Sequence, residues 1–185
     1  MRLYTGRGDR GSTDLLGARV SKDDPRIEAL GALDEASSAL GLARAAGPTT
    51  TTRDLLIAVQ RDLYKIMAEL AFTTEHYPQR VEIGADRVAW LEAETDRAAS
   101  AAPTPREFVL PGQTPQGATL DWARVMARQA ERRLVAAAED GAVRNQEMLR
   151  YLNRLSSLLF ALSRREDYEA GAPTLLAKGV DGDDD

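Results

Sequence analysis

Residues 148–164 read MLRYLNRLSSLLFALSR, and their spacing decides the fold. Met148, Leu152, Leu155, Leu159 and Leu162 recur at alternating steps of four and three, the pattern of a helix that buries one seam against other helices. Asn153 and Arg154 interrupt this apolar run. An amide turned inward there needs hydrogen-bond partners, while one turned outward is simply solvated, and the pattern allows either.

Working back along the chain, residues 121–134, DWARVMARQAERRL, place Arg124, Arg128, Glu131 and Arg132 at steps of four, three and one. On a helix these form a polar stripe, with Trp122, Val125, Met126 and Ala130 largely elsewhere. Arg124 and Arg128 repel each other by a few tenths of a kcal/mol, so the stripe calls for acidic partners or an anionic ligand. Its plain alternative is a solvated charged face. This helix is expected over about residues 118–138, stopped by Asp140-Gly141, and the next over 143–164.

Three more helices precede them. Asp23-Asp24-Pro25 is a start signal, and Ile27, Leu30, Leu33 and Leu40 carry helix one to about Arg44. Asp34 lies near that face and either meets a cation or sits exposed at its edge. Gly47, Pro48 and Thr49 to Thr52 read as a loop. Helix two follows over 53–72 on Leu55, Val59, Leu63, Ile66 and Leu70. A loop over 73–84 leads to helix three over 86–99, through Val88, Leu91 and Thr95, with Glu92 and Asp96 as outer or inter-helix charges. Residues 101–117 are irregular, stiffened by Pro103, Pro105, Pro111 and Pro115 around Phe108-Val109-Leu110. Phe108 reads as a core plug, with the wall of a binding cavity as the alternative. No run alternates long enough to make a strand, so the expected architecture is all-α: an up-and-down five-helix bundle.

Composition narrows the chemistry. The 185 residues suit one domain with a real core, and Cys is absent. With His76 as the single histidine, thiolate chemistry and a histidine-rich zinc site are excluded, and a metal would be magnesium held by oxygen and phosphate. Residues 166–185 hold seven acids against Lys178, so the net −5 leaves the remainder at +1. That acidic tail is expected to be disordered, and the domain to end at residue 165. Neither a membrane span nor a signal peptide is apparent, which points to the cytoplasm, and a near-neutral body without interleaved aromatics argues against nucleic acid. Residues 1–22 alternate Gly6, Gly8 and Gly11 with Thr5, Arg7, Asp9, Arg10, Ser12 and Thr13. This is a polar loop with the components of a phosphate cradle but no known nucleotide motif.

The ordered blocks YTGRGDRGSTDLLG, KDDPRIEALGALDEASSALGLAR, FVLPGQ, ARVMARQAERR and YLNRLSSLLFALSR resemble the PduO-type ATP:cob(I)alamin adenosyltransferases over about residues 3–165. The resemblance implies a ferritin-like bundle assembled as a homotrimer. Its active sites would lie between subunits and transfer the 5′-deoxyadenosyl group of ATP to Co(I) of a corrinoid. ATP, with magnesium, would be held by Thr5, Gly6, Arg7, Gly8, Thr13 and Lys22 of one chain and by Arg128, Glu131, Arg132 and Asn153 of the next. The resemblance also implies that Asp34 pairs across the interface with Arg124, and that Phe108 closes the lower face of cob(I)alamin. Partners would be a reductase and an adenosylcobalamin-dependent acceptor enzyme. This chain has Gly6 where the family commonly carries Lys or Arg, Ala127 and Gln129 where Cys and Arg are frequent, and Ser157 where LNRLSD ends in an acid. Those departures motivate the alternative of a non-catalytic corrinoid- or nucleotide-binding trimer, a carrier or regulator.

Overall fold

A computed structural model of the chain describes residues 4–72, 82–103 and 105–178; His76 and the acidic end from residue 179 lie outside them. Five helices follow a short hairpin: β1 (Ser12–Leu15), β2 (Ala18–Ser21), α1 (Pro25–Ala45), α2 (Thr50–Ala71), α3 (Ala85–Ser100), α4 (Pro115–Glu139) and α5 (Glu147–Glu169). None of the described helices is long and apolar enough to cross a membrane.

α4 packs between α1 and α5, with α2 beyond α1 and α3 beyond α5. The α1–α4 contact is built largely on small residues, Ala29, Ala32, Ala36 and Ala43 meeting a helix that buries Ala123, Ala127, Ala130 and Ala137. Small side chains let helix axes approach closely. Ile27 and Leu30, expected on the inner face of α1, are only half-buried, because alanines occupy that face. The α5 seam is as expected, with Met148, Leu152, Leu155, Leu159 and Leu162 all buried.

The bundle also closes through a buried polar contact. Asp62 of α2 accepts from Arg87 Nε and Nη2 of α3, at 2.9 and 2.6 Å, and from the Tyr151 hydroxyl of α5 at 2.9 Å. Burial, reinforced by the Asp62 charge, pushes the Tyr151 phenol well above its ordinary pKa, so it remains a neutral donor.

Several boundaries differ from expectation. The hairpin pairs Thr13 with Val20 and Asp14 with Arg19 across a Leu16-Gly17 turn, with Gly17 at φ 106. Its strands are too short for alternation to register, and the left-handed glycine is the signal that counts. α2 begins at Thr50 because Thr49 caps it, and α4 begins at Pro115 because the Thr114 hydroxyl accepts from Gly117 N at 2.9 Å. α5 begins only at Glu147, whose N–H the Asn145 side chain accepts at 3.0 Å.

The largest correction is at the other end of α5, which runs past residue 165 to Glu169. Arg164, Arg165, Glu166 and Asp167 are all buried, and the stop is Gly171 at φ 69, with Ala172 N donating to Asp167 O at 2.9 Å. A run of charges that looks like the start of a solvated tail is instead neutralised inside the bundle.

Candidate active site

The arginine stripe of α4 borders two adjoining clefts. The larger, about 580 Å³, lies between α3, α4, α5 and the segment before α4, and is walled by Phe108, Phe160, Ala98, Arg124, Arg128 and Arg164. The smaller, about 460 Å³, is lined by Arg128, Glu131, Arg132, Val135, Glu139 and Asn153. Arg128 belongs to both and stands at their junction.

Phe108 is not a core plug: it is 77% exposed, so of the two sequence readings the cavity wall is the one realised. Its backbone is nonetheless pinned. Ala177 N donates to Phe108 O at 2.7 Å, Leu110 N donates to Leu175 O at 2.8 Å, and Val109 bridges Leu176 in antiparallel sense. Residues 175–177, expected within a disordered tail, therefore strap the segment that presents Phe108.

The charges on α4 divide sharply. Arg124 Nε donates to Asp121 at 3.0 Å, and Arg133 lies 3.8 Å from Glu28. Arg128 and Arg132 are exposed and meet no acid among the described residues. Asn153 donates from Nδ2 to Glu131 at 2.8 Å and accepts from Arg154 at 2.7 Å, while Arg154 also donates to Glu92 at 2.8 Å. That network fixes Asn153 and Glu131 on the wall of the smaller cleft, leaving Arg128 and Arg132 available to an anion.

The N-terminal group forms a second cluster. A Cβ on Gly8 would lie 3.2 Å from Lys22 Nζ, so glycine leaves room for the ammonium beside the loop. Gly6 adopts φ 72, the Thr5 hydroxyl accepts from Arg7 N at 3.4 Å, and Lys22 N donates to Gly11 O at 2.9 Å. Arg19 fastens the loop, donating to Arg7 O at 2.6 Å, Ser12 Oγ at 2.8 Å and Asp14 at 2.7 Å. The side chains of Arg7 and Lys22 meet no acid among the described residues.

These groups are not joined within one chain. Thr5, Gly6, Arg7, Gly8, Thr13 and Lys22 line neither cleft, and the hairpin is tied to the end of α2, where Leu16 N donates to Ala71 O at 3.1 Å. Asp34 is exposed on α1 and has no cation partner among the described residues. Sequence reasoning missed Arg19, Asp121, Arg164, Asp167 and Phe160. Phe160 could have been found, since it sits at the edge of the α5 seam, but the pairing of Asp121 with Arg164 across 43 positions leaves no local trace.

Residues 3–166 match the cobalamin adenosyltransferase family. The chain is 42% identical over 180 residues to the corrinoid adenosyltransferase PduO of Citrobacter freundii, covering 96% of this chain and 53% of the relative. It is 44% identical over 172 residues to that of Salmonella typhimurium, covering 92% and 51%. The chain thus spans about half the length of these two curated relatives. Among solved structures, a phenylalanine-to-histidine variant of a PduO-type ATP:corrinoid adenosyltransferase from Lactobacillus reuteri, complexed with cobalamin and ATP, superposes with a TM-score of 0.88 at 29% identity. The match covers 96% of this chain and 97% of that one.

Proposed function

Because the chain belongs to the cobalamin adenosyltransferase family, we propose that it transfers the 5′-deoxyadenosyl group of ATP to Co(I) of cobalamin or a related corrinoid, releasing triphosphate. The observation that carries this reading is the pair of clefts sharing Arg128: one walled by two phenylalanines, the other offering two arginines without acids of their own among the described residues.

The reaction is a displacement at carbon. The Co(I) electron pair attacks C5′ of ATP and becomes the cobalt–carbon bond, while the C5′–O bond breaks and triphosphate departs with the C5′–O bonding pair, cobalt rising formally to Co(III). The substrate supplies its own nucleophile, so the protein needs no Ser, Cys or His base. Its work is alignment and charge stabilisation. Arg128 and Arg132 from one copy, with Arg7 and Lys22 from its neighbour, neutralise the charge gathering on the triphosphate. Asn153 and Glu131 orient the nucleotide. Magnesium would enter as the phosphate complex of ATP, adding its charge to that of the arginines. Phe108 excludes water and the axial base from the lower face of cobalt, which eases reduction of Co(II).

The separation of the loop residues from the clefts supports a homotrimer in which each site takes its loop from one subunit and its arginine helix from the next, with Asp34 answering Arg124 across that interface. The same reading places the enzyme in the cytoplasm, beside a reductase that supplies electrons and an acceptor enzyme that uses the adenosylated product. The test is anaerobic incubation of chemically reduced cob(I)alamin with MgATP. The expected result is adenosylcobalamin, followed by absorbance, and triphosphate, followed by chromatography, in equal amounts. Binding of both substrates without product would overturn the reading in favour of a carrier.

A further inference from the structure

One buried carboxylate stands behind the arginine stripe. Asp121 is 6% exposed and engages a different cation with each oxygen, Oδ1 accepting from Arg124 Nε at 3.0 Å and Oδ2 from Arg164 Nη2 at 2.9 Å. Arg164 has a second acid, Asp167, at 3.0 Å, and Asp167 in turn accepts from the Thr114 hydroxyl at 2.6 Å. Arg164 is therefore compensated twice, whereas Arg124 depends on Asp121 alone among the described residues. Asp121 and Arg124 also form a partition: both line the large cleft and a smaller one of about 280 Å³ beside Pro111, Trp122 and Val125.

We propose that Asp121 is a positioning residue that aims Arg124. A guanidinium gripped at Nε by a buried acid is held by one edge of its planar fork, and its two terminal amino groups are presented outward in a fixed plane. Those amino groups have no partner among the described residues, so they are free to meet an acid or a corrinoid side chain at the cleft. The helix and the buried Asp121–Arg164–Asp167 chain supply the rigidity. Both Asp121 oxygens are taken by arginines. Asp121 acts through Arg124, and this inference rests on reading the large cleft as the corrinoid site.

Asp121→Asn keeps the shape and removes the charge, while Arg164 keeps Asp167. The expected result is a rise in corrinoid KM on the order of tenfold with the ATP KM within about twofold of wild type, since displacement of one aligning group is felt only by the substrate it aligns. In an Arg124→Ala background the same substitution should add nothing, and Asp121→Glu should restore part of the loss. Equal weakening of ATP and corrinoid, or additive effects in the two backgrounds, would overturn the proposal and leave Asp121 a structural acid. If Asp121→Asn does not fold, Arg124→Lys carries the test: it keeps the cation but loses the Nε edge that Asp121 grips, and a corrinoid KM unchanged in that variant overturns the proposal. A readout independent of turnover is the ¹⁵N resonance of Arg124 Nε, expected to exchange slowly in the wild-type protein and rapidly in Asp121→Asn. Should that resonance behave as expected in a wild-type protein that binds no corrinoid, the functional reading falls and the positioning role survives. A resonance indifferent to Asp121 overturns the positioning role whatever the turnover.

Discussion

Two pairs of arginines on neighbouring helices have opposite surroundings. Arg164 and Arg165, near the end of α5, are buried among Asp121, Asp167, Glu166, Thr49 and Thr52. Arg128 and Arg132, in the middle of α4, are exposed beside two clefts and meet no acid among the described residues. Taking an ion out of water costs several kcal/mol, so a cation buried on folding must be neutralised by the chain itself. A cation left in water carries no such obligation and can wait for an anionic ligand. The first pair is thus part of how the bundle is held together, and the second is the pair that the proposed function draws on.

Substitutions on either side should break in different currencies. The largest effect is expected at Glu166, which accepts from Thr49 N at 3.0 Å and from the hydroxyls of Thr49 and Thr52, tying the end of α5 to the cap of α2. Glu166→Ala should lower stability by about 3 kcal/mol, read from the urea midpoint, while the folded fraction turns over normally. Arg128→Ala should do the reverse. Its turnover should fall about a hundredfold, close to 3 kcal/mol of transition-state stabilisation, with the urea midpoint scarcely moved. A collapse of stability in Arg128→Ala would erase the distinction between the two pairs.

Phe108 sharpens the comparison on the apolar side of the site. Because it is 77% exposed, Phe108→Ala should leave stability within about 0.5 kcal/mol of wild type. Adenosylation starting from Co(II) should fall roughly tenfold, with a smaller loss from Co(I) and little change in ATP affinity. Equal losses in corrinoid turnover and ATP binding would remove its assignment to the lower face.

The smallest effect belongs to the buried polar contact between α2, α3 and α5. Tyr151→Phe should cost about 1 kcal/mol of stability. The raised pKa of Tyr151 means its contribution is fully present below the ordinary tyrosine pKa of 10.0 and is lost as pH climbs through the higher folded value. Alkaline unfolding curves of the wild type should therefore fall more steeply above about pH 10 than those of Tyr151→Phe.

Local pattern revealed what local pattern controls. The α5 seam is a repeat within one helix, and the polar stripe on α4 is a matter of spacing, so both could be read before any fold was known. The boundary at residue 165 could not, because Arg164 to Asp167 look like a solvated tail until Thr49, Thr114 and Asp121 arrive from far along the chain. Phe108 failed as a core residue for a related reason. Its apolar neighbours suggested burial, but the backbone hydrogen bonds from residues 175–177 hold the segment at the surface. The hairpin escaped notice because four-residue strands carry too little alternation, and Gly17 was the only strong mark.

The central claim is that the unanswered arginines of α4 are completed by the loop of another copy, and mixing subunits tests it most directly. Lys22→Ala lacks the loop cation and Arg128→Ala lacks the helix cation, so assemblies of either alone should be nearly inactive. Unfolding and refolding the two together in equal amounts should restore turnover at about a quarter of the sites, those that draw an intact loop from one subunit and an intact helix from the next. Mixed assemblies no more active than the separate variants would contradict a site shared between copies.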